Sequence, residues 1–136
     1  MFAQEWPQFL GPDRDGQYVG PALNTSWPAG KPEELWRRSV GEGFAGPVVA
    51  ENRLLLFHRV DNREVLEAMD AVSGAPIWRH HYATTYRDDF GFDEGPRAVP
   101  VVANGTVYTF GAQGDLYAVG LETGETLWHV DTKDRF

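Results

Sequence analysis

The sequence contains no cysteine and is poor in basic residues. Disulfide frameworks, thiolate metal sites and cysteine nucleophiles are therefore excluded. Only 12 lysines and arginines stand against 20 acidic residues, and the formal net charge is −8. This charge repels phosphate backbones and anionic lipids, so we expect no nucleic-acid partner. The longest apolar run, Leu54 to Phe57, is far shorter than the roughly 18 residues of a membrane span. We also expect no signal peptide in these residues.

The sequence does have turn formers and enough apolar side chains to build a core. Hydrophobic residues make up 42% of its 136 positions, and 15 glycines and 9 prolines are spread along it. This distribution favours many short strands joined by tight turns over long helices. We therefore predict an all-β fold.

An internal repeat indicates how these strands are grouped. Residues 47–57 and 100–110 share the order Pro-Val-Val-Ala, a two-residue turn and a second apolar run. In the second copy the turn is Asn104-Gly105, a strong hairpin signal because both turn positions take positive φ. The second runs are apolar at successive positions, which predicts burial on both faces.

Each copy then continues through another apolar strand and a glycine turn to a tryptophan. In the first copy Asp70 can accept hydrogen bonds from turn N–H groups. Gly120 stands at the corresponding position of the second copy, where we predict a weaker turn. Trp36, Trp78 and Trp128 are 42 and 50 residues apart, which is the length of a propeller blade. The sequence thus predicts four-stranded antiparallel β-propeller blades in an incomplete ring.

This repeat divides the chain into five predicted parts. Residues 35–46, with a strand at Leu35–Val40, would close a preceding blade and link it to the next. The parts are an N-terminal segment (1–34), this closing strand and linker (35–46), a first blade (47–82), an inserted acidic and aromatic loop (83–98) and a second blade (99–136).

The stretch 68–78 resembles the tryptophan-docking motif of quinoprotein propellers, Ala-x-Asp-x-x-Thr-Gly-x-x-x-Trp, with Ser73 in place of threonine. The copy that ends at Trp128 departs from the motif at Gly120. Residues 6–16 are similar to the segment that precedes the first blade in bacterial proteins of this kind. The chain therefore resembles an N-terminal fragment, about two blades long, of the quinoprotein-type (PQQ-like, BamB-like) β-propeller repeat family.

The resemblance implies a structural role for the motif residues and two alternatives for function. The residues implied to dock neighbouring blades are Trp36, Trp78, Trp128, Asp70, Gly74 and Gly124. Some members of this family are alcohol or sugar dehydrogenases that carry pyrroloquinoline quinone and calcium. Others, such as BamB, bind no quinone and act as docking scaffolds. Family resemblance also implies a periplasmic or extracellular location.

The inserted loop is the most unusual part of the sequence. Four carboxylates lie within seven residues, and such oxygen-rich loops can hold calcium: Asp88, Asp89, Asp93 and Glu94. Crowded carboxylates could also serve as a general acid or base. The third alternative is an ordered loop that presents aromatic and basic side chains to a partner: Tyr86, Arg87, Phe90, Phe92 and Arg97.

The four histidines form no recognisable ligand set, and we expect them to be solvated at strand ends: His58, His80, His81 and His129. We predict no catalytic residues and no cofactor in this fragment. Calcium is possible, and quinone is expected only if the parent protein is an enzyme.

Our preferred hypothesis is a non-catalytic scaffold whose open blade edges and apolar faces bind protein. The partner would be further copies of the chain or the remaining blades of its own ring. The alternatives are the N-terminal part of a quinone-dependent alcohol or sugar dehydrogenase, and a surface module that binds calcium or carbohydrate.

Overall fold

The computed structural model describes residues 5–28 and 30–135. Met1 to Gln4, Ala29 and Phe136, which belong to the predicted N-terminal segment and second blade, lie outside the described residues. The all-β prediction is confirmed, since the strands of the described residues form two four-stranded antiparallel sheets that do not close a ring. The first sheet contains β1 (Val48–Ala50), β2 (Arg53–Val60), β3 (Arg63–Asp70) and β4 (Pro76–Ala83). The second contains β5 (Val101–Ala103), β6 (Thr106–Phe110), β7 (Asp115–Gly120) and β8 (Thr126–Asp131).

The two sheets repeat the same local geometry. Each is a meander in which neighbouring strands pair in chain order. The predicted hairpin at Asn104-Gly105 has φ values of 50° and 70°, which confirms its positive-φ turn. Before each tryptophan the register shifts by one residue. Ala68 pairs with Trp78 but Met69 pairs with Pro76, and the second sheet repeats this bulge between Ala118 and Val119.

The core lies between the two sheets. Leu55, Phe57 and Leu66 of the first sheet are buried against Val107 and Val119 of the second. Apolar burial of this kind is the main driving force for packing two sheets face to face. Toward the edge strand of the first sheet, the ring of Tyr82 stacks on that of Tyr117 with centroids 4.5 Å apart.

The N-terminal segment covers the first edge of both sheets. Trp6 exchanges two backbone hydrogen bonds with Val49 of β1, at 2.8 and 3.0 Å. The carbonyl of the next residue, Pro7, accepts a hydrogen bond of 2.8 Å from the N–H of Val102 in β5. This segment therefore satisfies backbone groups that two exposed edge strands would leave unpaired.

The strand predicted at Leu35–Val40 is wrong. These residues have no regular structure and cross the outer face of the first sheet, the face that points away from the second sheet. Farther along, Glu42 forms an isolated bridge with Arg59. A strand needs a neighbour to pair with along its length, and the described residues provide none beside this segment.

The burial predicted on both faces of the second apolar run is incomplete in both copies: Leu54 and Leu56 on the outer face of β2 are half-buried, and the far face of β6 is more exposed still. Phe57 in β2 is 1% exposed, whereas Phe110 in β6 is 45% exposed. The second sheet covers Phe57, whereas Phe110 lies on the far face of the second sheet and stays exposed.

Candidate functional site

Two tryptophans are seated on glycine turns in the same way. The indole of Trp78 lies against Gly124 and donates a hydrogen bond of 2.9 Å to the carbonyl of Leu121. The indole of Trp36 lies against Gly74 and donates one of 3.3 Å to the carbonyl of Ala71. A β-carbon on either glycine would come within 3.0 Å of the ring, so a larger residue would block the seat. Both glycines also have φ near +71°, which disfavours side chains.

The turn of the first sheet has more hydrogen bonds than that of the second. The Asp70 carboxylate accepts hydrogen bonds from the N–H of Val72 and from both the N–H and the hydroxyl of Ser73. These hydrogen bonds, chiefly those from Ser73, lower the pKa of Asp70. At Gly120 the second turn lacks this carboxylate and keeps only its backbone bonds and the contact of Thr123 with the N–H of Glu125.

Trp128 occupies the position in the second sheet that Trp78 occupies in the first. It pairs with Ala118 after the same bulge. Its ring contacts that of Tyr108, 6.0 Å between centroids, and it remains 44% exposed. With Tyr108 and Phe110, Trp128 defines what we call the open face of the second sheet. Trp128 and Phe110 expose apolar surface side by side on this face, as interaction surfaces do.

A buried arginine that the sequence analysis did not single out holds the inserted loop. The side chain of Arg59, at the end of β2, is 2% exposed. It donates hydrogen bonds of 2.9 and 3.1 Å to the carbonyls of Tyr86 and Glu94, at the two ends of the loop. It also bonds the carbonyl of Asp61 and lies 3.3 Å from the Glu94 carboxylate. Arg59 thus fixes both ends of the loop to the first sheet.

The loop carboxylates are used for local structure. Asp88 accepts the N–H of Phe92, and this hydrogen bond lowers the pKa of Asp88. Asp93 accepts the N–H groups of Gly95 and Gly43, and Glu94 pairs with Arg87 at 2.7 Å. Within residues 5–28 and 30–135, no three acidic or histidine side chains converge as a metal-binding group. This geometry gives the predicted calcium site no support, and its occupancy stays an untested prediction.

The aromatic residues of the loop are presented to solvent. Phe90 and Phe92 are each 82% exposed, with ring centroids 6.4 Å apart. The Arg97 guanidinium lies over the rings of Tyr86 and Phe44, at 5.3 and 5.7 Å from their centroids. Asp89 and Arg87 are also exposed. The structure thus brings the predicted binding residues together on an anchored loop, while their partner remains a prediction.

A second charged cluster lies on the outer face of the first sheet. Glu67 is buried and forms ion pairs with Arg38 and Arg79. Burial alone would raise the pKa of Glu67, but hydrogen bonds from the two arginines outweigh it and the pKa is lowered. Arg38 belongs to the segment that follows Trp36, so this pair ties that segment to the sheet.

His58 lies beside Glu67 and is also buried, so the prediction of solvated strand-end histidines is wrong for it. Its Nδ1 accepts the N–H of Gly41 at 2.8 Å, and its Nε2 lies 3.5 Å from a Glu67 oxygen. Burial lowers the pKa of His58, and attraction to Glu67 only partly opposes this. His58 therefore holds the same segment through an uncharged ring.

A sequence profile of one family matches residues 22–133 of this chain, and its description reads outer membrane protein assembly factor BamB. The match covers both sheets and both tryptophan seats. The chain belongs to the BamB family. The match confirms the predicted resemblance to this family of β-propeller repeats.

A curated relative of this BamB-family chain is the outer membrane protein assembly factor BamB of Shewanella oneidensis. The two are 29% identical over 108 residues, which cover 73% of this chain and 27% of the relative. The chain therefore spans about a quarter of the length of the curated relative that it matches.

Solved structures similar to this BamB-family chain include both dehydrogenases and a BamB. A europium-containing methanol dehydrogenase has a TM-score of 0.51 at 20% identity, over 68% of this chain and 16% of its own, and it supports the fold. The quinohemoprotein alcohol dehydrogenase of Comamonas testosteroni has a TM-score of 0.48 at 28% identity, and the match covers 70% of this chain and 13% of the dehydrogenase. BamB of Moraxella catarrhalis has a TM-score of 0.42 at 17% identity, and the match covers 66% of this chain and 22% of that BamB.

The sequence analysis missed three charged residues that hold this BamB-family chain together. Two of them are Arg59 and Glu67. The third is Glu64, which is fully buried and accepts hydrogen bonds from the Tyr82 hydroxyl and from the N–H of Ala112. Burial, followed by the charge of Glu64, raises the pKa of Tyr82. For Glu67 the signal was a charged residue between two apolar neighbours, Leu66 and Ala68, inside a strand; Arg59 and Glu64 have no such pattern beside them. In the part of the chain that the structure describes, no helix is long and apolar enough to cross a membrane.

Proposed function

We propose that this chain is a non-catalytic scaffold that binds protein through the open face of its second sheet. The observation that carries this proposal is the contrast between two equivalent tryptophans. Trp78 is seated on the turn at Gly124, whereas Trp128 has no seat among the described residues and is 44% exposed. An exposed indole with an adjoining apolar surface is the usual centre of a protein interface.

The chemistry of the partner follows from the two seats within the chain. Each seat offers a glycine with positive φ and a carbonyl that accepts the indole N–H. The partner of Trp128 should offer the same features, as a further blade of the same ring or as another copy of the chain. Because the chain covers only 27% of its Shewanella relative, we favour the remaining blades.

In this proposal the chain itself has no catalytic residue and no cofactor. Enclosing a quinone takes polar groups arranged around a closed pocket, and two blades supply only part of such an enclosure. We also propose a periplasmic or extracellular location and a protein partner. Both are supported by the relative's description as an outer membrane protein assembly factor.

Hydroxyl-radical footprinting tests whether a partner covers the open face. Oxidation of Trp128 would be compared between the purified chain and the protein in its native cells. Trp27 in the N-terminal segment, with a similar exposure of 40%, is the matched reference. We expect Trp128 to be oxidised much less in cells than in the purified chain, while Trp27 changes little. Equal oxidation of Trp128 in both samples would overturn the proposal.

A dye-reduction assay tests the non-catalytic part of the proposal. Purified chain would be incubated with pyrroloquinoline quinone, calcium and a panel of alcohols and sugars. We expect no substrate-dependent dye reduction. Turnover that requires both quinone and protein would instead support the dehydrogenase alternative.

A further inference from the structure

The tight turn between β5 and β6 contains a pair of residues that can react with each other. Asn104 is the only asparagine in the sequence that is followed by glycine. Asn104 and Gly105 are both exposed, and a β-carbon added to Gly105 would meet no atom within 4 Å. Among the hydrogen bonds of the described residues, none involves the Asn104 side chain or the Gly105 N–H. The side-chain amide and the next backbone nitrogen can therefore approach each other.

The matching turn of the first sheet, Glu51-Asn52, lacks this arrangement. The side-chain amide of Asn52 donates a hydrogen bond of 3.0 Å to the Asp70 carboxylate. The residue after Asn52 is Arg53, whose side chain crowds its own backbone nitrogen, whereas glycine leaves that nitrogen open. The two copies of the repeat thus differ in the features that control attack on an asparagine side chain.

We propose that Asn104 is a site of spontaneous deamidation and that its conversion loosens the contact between the two sheets. The backbone nitrogen of Gly105 bonds to Cγ of Asn104, the Cγ–Nδ2 bond breaks, and ammonia leaves with the proton of the Gly105 N–H. Water then opens the succinimide ring. Opening at Cγ gives aspartate, and opening at the backbone carbonyl gives isoaspartate, in which the main chain runs through the former side chain. Only the chain and water take part, and no protein partner is needed.

The isoaspartate product lengthens the backbone of the turn by a methylene group. Ala103 and Thr106, on either side of the turn, are paired with each other, so the extra length must displace Gly105. The Gly105 carbonyl accepts a hydrogen bond of 2.9 Å from the N–H of Leu121. The carbonyl of Leu121 in turn accepts the indole hydrogen bond of Trp78, also 2.9 Å long. Displacement of Gly105 is therefore transmitted to the contact that Trp78 makes between the sheets.

Ageing of the purified chain tests the chemistry. The folded chain would be kept at mildly alkaline pH, which favours attack by a backbone nitrogen, and its peptides would be followed by mass spectrometry. We expect most Asn104 to become aspartate and isoaspartate before Asn52 changes, and an isoaspartate-specific methyltransferase identifies the second product. An Asn104 amide that survives in the folded chain but is lost in urea would overturn the site, as would equal conversion of Asn52.

The matched control for this chemistry is Gly105→Ala, because a β-carbon has room at this position but crowds the attacking nitrogen. This variant should keep its Asn104 amide much longer than the wild-type chain. Circular dichroism checks that it is folded. If it is not, Asn104→Gln takes its place, since the longer side chain closes a ring far more slowly. Loss of the amide from the folded control at the wild-type rate would contradict attack by the Gly105 nitrogen.

Hydrogen exchange tests the effect on the sheets. In the aged chain the amide of Leu121 should lose protection. The amide of Ala71, which donates to the Asn52 carbonyl at the matching place in the first sheet, should keep it. The melting temperature should fall by about 4 °C, the shift expected from the loss of one hydrogen bond in a domain of this size. Freshly purified Asn104→Asp adds the charge without lengthening the backbone and should keep the wild-type values. Unchanged protection of Leu121 after conversion would overturn the loosening of the contact between the sheets.

Discussion

Phe57 and Phe110 occupy equivalent positions at the end of the second apolar run in the two sheets. Phe57 is 1% exposed and Phe110 is 45% exposed. Trp78 and Trp128 form a second such pair, one seated on a turn and the other free. The local strand geometry is the same in each pair. In this repeat a residue of one sheet is therefore buried by the sheet that packs against it, and its own sheet does not determine its burial.

The sheets differ in a second way, in their length and anchoring. In the first sheet β2, β3 and β4 have eight residues each, whereas β6, β7 and β8 have five or six. The extra length carries Arg59 out to the inserted loop, and the first turn has the Asp70 carboxylate. The first sheet is therefore held by polar contacts that the second lacks.

The largest expected difference between the sheets is in the tryptophans. Trp78→Ala removes an indole from the contact between the sheets and should lower the free energy of unfolding by about 3 kcal/mol. Trp128→Ala removes a ring with no seat and should cost under about 1 kcal/mol in the purified chain. Urea denaturation measures both values. Equal losses would contradict the assignment of Trp128 to an open face.

Arg59 should come next in effect. Arg59→Ala leaves the carbonyl of Glu94 without its donor, and it leaves the Tyr86 carbonyl and the Glu94 carboxylate with only the exposed Arg87 as a partner. We expect a loss of about 2–3 kcal/mol and earlier proteolysis of the inserted loop. Arg87→Ala is the matched control, because it removes an exposed partner of the same carboxylate and should cost under about 1 kcal/mol. An intact loop in the Arg59 variant would show that other contacts hold it.

The two turns can be exchanged to test why they differ. Asp70→Gly removes three hydrogen bonds within the first turn and a fourth from the Asn52 side chain, and it should lower the melting temperature. Gly120→Asp should stabilise the second turn by up to about 1 kcal/mol, because Thr123 can replace Ser73 as a donor. Thermal unfolding of the two variants measures the shifts. A β-carbon at position 120 would lie 2.9 Å from the Thr123 hydroxyl oxygen. If Gly120→Asp is destabilising, this close contact prevents the new side chain from fitting.

The smallest effect is a pH dependence confined to the first sheet. The pKa of His58 is lowered by burial, so the unfolded chain binds a proton on this ring more readily than the folded chain. Stability should then fall as pH drops below about 6.5, by at most about 1.4 kcal/mol per pH unit from this group. Glu67, with its lowered pKa, adds a further loss only below about pH 4.5.

Melting temperatures between about pH 7.5 and 5.5, which bracket the ordinary histidine pKa, measure the His58 effect. His58→Gln should flatten the dependence over this range. His81→Gln, on an exposed residue of β4, should leave the dependence unchanged. An unaltered slope in the His58 variant would assign the pH dependence to another group.

The sequence predicted the local features of this chain well. The Asn104-Gly105 hairpin takes the expected positive φ values. The repeat also placed the strands of the two sheets correctly, and the glycines at the turns before Trp78 and Trp128 are explained by their left-handed backbone. These features depend on contacts between residues close in the chain, so short patterns are enough to predict them.

The strand predicted at Leu35–Val40 shows where this reasoning failed. The spacing of Trp36 from Trp78 predicted a closing strand, but a strand is stable only when a partner pairs with its backbone. Composition also could not show that Glu67 and His58 lie together, because Arg38 and Gly41 reach them only after the segment folds back over the sheet. Both of these contacts join residues that are far apart in the chain.

The sequence alone determined the strand order, the tight turns and the spacing of the tryptophans, since backbone preference and apolar patterning act within a few residues. Only the tertiary structure decided which copy of each repeated residue is buried, where Trp36 is seated and which charges are paired. The physical reason is that burial and charge pairing depend on what packs against a surface. Two nearly identical strands therefore differ once one of them has a neighbour and the other has none.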